Sequence, residues 1–507
     1  MFDFDNLPLD LPPGIVKSRS PLDVRNRYID CDKVRFDNGR PRKIGGWASM
    51  TSDGLGAPGR GICQWVDLDG APLIAFGTYE AVYVWHDDTL EDITPAGFVA
   101  GNLDAVDYST GWGEGGWGEG PWSGAGFSTV GPGNPLTWTL APYGEDLLVM
   151  PRWGGLYIWD RSAAPGVATA VTNAPTVGLG CFVTENSRHP VVFGADGDGV
   201  LIKWASQETT TTWTATATNS AGDKRCDDGS TVIGHTTANG GDLLLTGGSA
   251  HFMRYIGRPL AFGITKVGDN CGLISPHGAV SLNATAYWMG HEGFYTFDGT
   301  VRRLDCDLND YVFSRLLKAE RFKICAGVNT QYGEIWWHYP TIESGHKENA
   351  EYITYNTRLN CWYNGTMGRS AWSEDHDVSP YPVSVDSDGN ILIQEVGVDA
   401  GSDAMAYHLT TGEIDMVDGK LFSQVRQIIP DFQSISGDHA ISLITRNYPQ
   451  DPSPRTRGPY LINGTTRKRS VRVRSNSFRL HQSGDGLGAS FVGGLMRLMI
   501  KDRGERA

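Results

Sequence analysis

Apolar positions in this chain come in short bursts, cut by Gly, Asp, Asn and Pro, and long helical stripes are scarce. "APLIAFGTYEAVYVWHDDTLEDITP" (71–95) reads strand, turn, strand, turn, strand. Residues 144–162, 189–217, 240–268 and 284–307 repeat all or part of that unit, with looser copies at 322–363 and about 380–412. The shared element is an apolar strand, a Gly-containing turn, then a strand carrying Tyr83/Trp85, Tyr157/Trp159, Ile202/Trp204, Met253/Tyr255 or Tyr295/Phe297. The intervals between these pairs are 74, 45, 51 and 42 residues. A four-stranded propeller blade takes about 40–50 residues. One blade cannot bury both faces of its sheet, whereas blades stacked around an axis can. The pattern predicts an all-β chain with a β-propeller of six or seven blades over 61–412. An insertion at about 100–135 lengthens the first interval.

One segment has helical spacing. In 307–322, Leu308, Tyr311, Val312, Leu316 and Leu317 fall on one face, with Asp307 or Asn309 available as cap. Beyond 412 the texture changes, and QVRQIIPDF, HAISLITRNY, KRSVRVRSNSFRLH and GGLMRLMIKDRGE read as strands of a small C-terminal β-domain, 413–507. Residues 1–60 read as an N-terminal extension and hairpin.

Composition supports this picture, since 65 glycines and 26 prolines suit many short turns, and 53 aromatics supply a large core. No apolar run is long enough for a membrane helix, and the acidic, proline-rich start does not read as a secretory signal. Eight scattered cysteines form no CxxC pair and read as reduced core thiols. The net charge of −15 is uneven: from residue 421 onward 14 Lys and Arg face 6 Asp and Glu. That end therefore carries +8 and the first 420 residues carry −23. An acidic body repels nucleic acid.

Candidate chemistry is thin. Gly111, Gly113 and Gly116 fit GxGxxG, but glycine and proline follow where a helix should start, and Glu114 and Glu119 would repel phosphate. No GK[ST] occurs. GADGDG (194–199) and DSDGN (386–390) lack the EF-hand order and read as hairpin tips. The histidines form no HxxxH or HExxH, and His189, His277, His291 and His338 read as turn or core residues. No serine elbow, SxxK or Cys–His signature appears, so the chain reads as a non-enzyme without cofactor or metal. A propeller glycoside hydrolase would need two carboxylates meeting in the central channel. Sugar binding through WSEDHD and Trp336–Trp337 competes with a core role for those rings.

The stretch "LPPGIVKSRSPLDVRNRYIDCDKVRFDNGRPRKIGGW" (11–47) carries Val34, Arg35, Phe36, Asn38, Gly39, Arg40, Pro41, Lys43, Gly45, Gly46 and Trp47 in the pattern VRF-x-NGRP-x-K-x-GGW. Read from the residues, it is a hairpin with Val34 and Phe36 inward and a tight turn at Asp37–Asn38–Gly39. It resembles the N-terminal signature of tail proteins from short-tailed bacteriophages, ahead of a β-propeller. "GFYTFDGTVRRLDCDLNDYVF" (293–313) resembles the same family's G-x-Y-x-F-DG blade and the short helix after it. The tail nozzle, or packaged-DNA stabilisation (tail accessory) protein, is the closest pattern, although tail-hub and fibre-adaptor proteins share it.

The resemblance implies a structural protein of the virion tail. It implies a homohexameric ring below the portal and its adaptor that extends the DNA-ejection channel and helps retain packaged DNA. DNA would pass without specific binding, and a tail fibre or tip protein would be a further partner. A receptor- or glycan-binding tail protein is the alternative. Two features read as contacts with a neighbouring subunit or partner. Arg472 and Arg474 alternate with Val471 and Val473 on one strand, although edge protection accounts for them too. Trp112, Trp117 and Trp122 recur every five residues in GWGEGGWGEGPW and read as an inter-subunit clasp, or as a mobile loop.

Overall fold

A computed structural model describes residues 5–19, 23–106, 133–227, 230–258, 260–375, 377–415, 421–446 and 454–505. Seven four-stranded antiparallel sheets follow one another around an axis, so of six or seven blades the number is seven. Their innermost strands are Gly61–Val66, Trp138–Tyr143, Gly180–Val183, Val232–Ala238, Ala279–Leu282, Cys325–Asn329 and Ala371–Ser373. The last of these packs beside the first and closes the circle. Most blades bury their second strand almost completely, as in Asp146–Pro151 and Glu334–Pro340, because other blades cover both of its faces.

The repeating aromatic strand is the third of each blade. Trp159, Trp204, Met253 and Phe297 face the core, while the alternate residues Tyr157 and Tyr295 are half-buried. The long first interval places the Gly/Trp stretch between the outer strand of blade 1, Thr89–Asp92, and the inner strand of blade 2. GADGDG and DSDGN both lie in turns between strands. In the second, Asp386 accepts the Asp388 and Asn390 amides at 2.9 Å each. All eight cysteines are free thiols.

Blade 7 takes its outer strand from the other end of the chain. Trp47–Ser49 pairs antiparallel with Ile391–Gln394, in the register Trp47↔Gln394 and Ser49↔Leu392. Hydrophobic alternation cannot reveal such a partner, because a strand's pattern fixes its faces and not its neighbours. For the same reason Tyr407–Thr411, inside the range read as propeller, pairs elsewhere, with Tyr28–Asp32 and Ser477–Gly484.

The C-terminal strands form three further sheets, each containing N-terminal strands. Asp5–Pro8 pairs with Arg497–Glu505, whose other neighbour is Leu421–Ile429, and Arg469–Ser475 ends that sheet. The second sheet runs Tyr28–Asp32, Tyr407–Thr411, Ser477–Gly484, His439–Arg446 and Arg455–Ile462. In the third, the hairpin Val34–Asp37/Arg40–Lys43 meets Ser490–Gly493 through Arg42↔Val492, and Phe432–Ser436 follows. Val425, Ile441, Leu443, Val471, Val473, Leu480 and Leu498 pack into one apolar cluster between the first two sheets.

The helical segment is shorter than its periodicity predicts. Asn309–Arg315 is α-helical and Lys318–Lys323 is a 3-10 helix, with Leu316 extended and Leu317 non-helical between them. Neither Asp307 nor Asn309 caps: the N-cap is Leu308, without a side-chain bond, and the Asn309 amide donates to the Glu292 carbonyl at 3.2 Å. Among the described residues no helix is long and apolar enough to cross a membrane.

Candidate functional site

The VRF-x-NGRP-x-K-x-GGW pattern runs through the place where three parts of the molecule join. Asn38 and Gly39 both have positive φ, 49° and 76°, which makes the two-residue turn that suits a right-twisted hairpin. Val34 and Phe36 are fully buried, and Phe36 packs edge-on against Tyr363 of blade 6 at 5.9 Å. Pro41 lies against Gly493, and the Lys43 ammonium donates to the Ala489 carbonyl at 2.6 Å, fastening the hairpin to the C-terminal strands. Arg40 pairs with Asp10 at 3.0 Å on the surface.

Alternation places Arg35 opposite Val34 and Phe36, on the side expected to meet water, yet its side chain is only 1% exposed. Its Nε lies 2.9 Å from Glu334 at the start of blade 6's second strand. Its two terminal nitrogens clasp both oxygens of Glu395, which follows the third strand of blade 7. Glu334 also accepts the Trp336 indole at 3.0 Å and the Tyr363 hydroxyl. Glu395 accepts the Asn329 amide at 3.0 Å and the Gly45 N–H at 3.1 Å. Burial disfavours the Arg35 charge, but Glu334 and Glu395 outweigh it and hold its pKa well above the usual value. The clasp is a structural cross-brace between hairpin, blade 6 and blade 7.

The two glycines that follow are there for close approach. A Cβ on Gly45 would overlap the Glu395 carboxylate, and one on Gly46 would overlap the Asp399 carbonyl oxygen. Next to them, Trp47 starts the strand that completes blade 7, and the Arg369 guanidinium lies 4.5 Å from its ring. Gly46→Ala is therefore expected to destabilise the joint severely, because the obstructing atom is backbone and cannot rotate away. Arg40→Ala removes only an exposed ion pair and should cost about 1 kcal/mol or less. Thermal melts of the two variants side by side check this contrast.

A second constellation lies across one mouth of the propeller. Phe322, just ahead of blade 6, packs under the guanidinium of Arg152 from blade 2 at 5.4 Å, on the opposite side of the ring. Arg152 donates to the Leu179, Ile233 and Val232 carbonyls at 3.3, 2.9 and 3.2 Å, so it also ties blades 3 and 4. Arg60, ahead of blade 1, pairs with Glu348 of blade 6 at 2.7 Å. The Arg60 carbonyl meets the ring of His277 at 3.0 Å. Burial pushes His277 down to about 4, so its ring is neutral at physiological pH.

The same mouth anchors the stem of the Gly/Trp stretch. The Lys323 ammonium, with no exposed side-chain surface, lies 2.6 Å from Asp104, 2.8 Å from Glu348 and 3.3 Å from Glu320. Glu320 accepts the Ala105 N–H at 3.0 Å. Val106 N–H donates to the Gly133 carbonyl at 2.6 Å, and Leu136 N–H to Asn102 at 2.9 Å, closing the stem. Trp112, Trp117 and Trp122 themselves lie outside the described residues.

Below the bridged mouth the channel holds cavities of about 150 and 250 Å³. Glu374 lines the larger one, and the protein around it, followed by the charge of Asp375, pushes its carboxyl up to about 7. Among the residues lining these two cavities it is the sole carboxylate, where glycoside hydrolysis uses two. Trp336 and Trp337 are buried, at 1% and 0% exposure, and offer no sugar platform. Arg472 and Arg474 stand exposed on the strand whose Val471 and Val473 enter the core, as alternation predicts. Arg474 lies 4.8 Å from the Phe422 ring.

Glu334, Glu395, Lys323, Glu320, Glu348, Arg60 and Arg152 escaped the sequence reading. Their partners lie up to several hundred residues away, and the one local hint was a cation between two apolar residues in Val34–Arg35–Phe36.

No family model matches the chain, and no curated protein matches its sequence. Among solved structures it is similar to BBS1N from a complex with ARL6DN, at 11% identity and a TM-score of 0.40, over 71% of this chain and 99% of that one. YCF48 from Cyanidioschyzon merolae gives 8% identity and a TM-score of 0.40, over 68% of this chain and 98% of that one. PorZ of the Porphyromonas gingivalis type-IX secretion system gives 8% and 0.34, over 75% and 44%.

Proposed function

We propose that the chain is a structural, non-enzymatic protein of a bacteriophage virion, a tail nozzle or hub that extends the DNA-ejection channel below the portal and adaptor and helps retain packaged DNA. The observation that carries this reading is the hairpin signature. Its residues brace a joint between propeller and C-terminal strands, as suits a building block. The reading takes its homohexameric ring, its adaptor and its fibre or tip partners from the resemblance alone.

The propeller's own channel is bridged at one mouth by Phe322 and Arg152, so the conduit in this reading is the lumen between copies. An acidic propeller body, −23 over the first 420 residues, lowers the affinity of that wall for phosphate and lets DNA slide. Electron microscopy of the purified full chain tests the proposal. Six-fold rings with a central hole, acidic at the lumen, are the expected result; discrete monomers or a net basic lumen would overturn it.

A further inference from the structure

The two edge strands of the C-terminal sandwich lie side by side, and both are basic. Arg455–Ile462 ends one sheet and Arg469–Ser475 ends the other, so each has a ladder partner on one side only among the described residues. Arg455 and Arg457 on the first, Arg469, Arg472 and Arg474 on the second, and Arg467 and Lys468 in the turn between them are all exposed. No Asp or Glu occurs from 452 to 484. Blunting a strand edge against aggregation requires charge but not one sign of charge. Seven cations together, in a chain with 58 acids and 43 bases, exceed that need and form a ridge that seeks an acidic surface.

The same fold supplies such a surface. In every blade the turn between strands one and two, and in blades 1 to 6 the turn between strands three and four, emerge on one face of the propeller, because the inner strands run parallel around the axis. Among the described residues, these turns hold twelve Asp and Glu against four Arg and no Lys. Asp69, Asp87 and Asp88 of blade 1, Glu145 of blade 2, and Asp377 of blade 7 belong to it.

We propose that the Arg455–Arg474 ridge of one copy docks on the acidic turn face of a second copy. The contact joins two different patches, so it is head-to-tail, the geometry that generates closed rings when the rotation closes. This inference rests on the ring proposed above and names the surfaces that build it.

The test uses the full chain. Mass photometry is expected to show assembly at about 0.1 M salt and an at least tenfold weaker association at about 1 M, where the screening length falls from about 10 to 3 Å. The triple variant R469E/R472E/R474E is expected to remain monomeric with an unchanged melting temperature. Carbodiimide coupling of a mixture of isotopically light and heavy chains is expected to link Lys468 to acids of the turn face on the other copy.

Rings formed equally well by the triple variant would overturn the docking surface while leaving the ring itself. A wild-type chain that stays monomeric at low salt would overturn both. Lys468 links confined to its own chain, together with ridge-dependent retardation of a short DNA duplex, would reassign the ridge to nucleic acid and discard this contact.

Discussion

Replacing Arg35 with methionine is expected to cost about 3–5 kcal/mol, the penalty for removing one partner of a buried ion pair. Methionine fills much of the same volume, so the loss comes from charge. Glu334 and Glu395 would remain at the joint, buried and 9% exposed, without their cation. The pH dependence separates this cause from lost packing. Burial already raises the Glu334 pKa, and Arg35 is the largest effect opposing it; without Arg35 only the Tyr363 and Trp336 hydrogen bonds oppose the burial. A carboxyl whose folded pKa lies above its unfolded value of about 4.3 destabilises the fold at high pH, and the penalty fades as pH falls toward that value. The deficit against wild type should therefore be largest near pH 8 and shrink toward about pH 5 in calorimetric melts. A deficit independent of pH would mean that packing, not charge, is what Arg35 supplies.

Lys323→Met is expected to release the stem of the Gly/Trp stretch while leaving the blades intact. The substitution leaves Glu320, whose side chain is 2% exposed, with only Lys347 at 3.8 Å as its cation, and removes the shortest anchor of Asp104. Lys347 still reaches Asp104 at 3.3 Å and is half-exposed, so the local loss sits at the low end of the buried-pair range, about 3 kcal/mol. Hydrogen exchange at the Ala105 amide reads it directly, with a fall in protection on the order of 100-fold.

Burial alone would raise the Asp104 pKa, but its bonds to Lys323 and then Lys347 win, and the carboxyl is lowered. A lowered folded pKa gives stability that is present above the unfolded value, about 3.9, and is lost as pH falls through the folded one. Wild-type protection of Ala105 should thus collapse in acid, and the variant should show little of that dependence. Equal protection in both chains would show that the stem is held by Val106 and Leu136 alone.

The propeller was legible because blade burial imposes a period. Each blade needs one strand covered on both faces and one aromatic strand beside it, and those demands recur every 42 to 51 residues through Tyr157, Ile202, Met253 and Tyr295. The turn at Asn38–Gly39 was legible because few residues tolerate positive φ in succession. What stayed hidden was pairing at long range. Trp47–Ser49 shows an ordinary strand pattern and nothing that points to Ile391–Gln394. Arg35 looks like a surface cation until Glu334 and Glu395 arrive from 299 and 360 residues away. Charge networks of this kind leave no local periodicity, so composition and spacing pass over them.

The braiding of the two ends has a consequence for synthesis. While the chain leaves the ribosome, Asp5–Pro8 and the hairpin at 34–43 emerge well before their strand partners near 490–505. Six blades can form as they emerge, each from contiguous sequence. Blade 7 can take up its outer strand from residue 47 only after residue 394 has been translated. Until then the nascent molecule is an open arc with a bare sheet face at either side of the gap. A chaperone that met it at this stage would find apolar faces that the finished protein no longer offers.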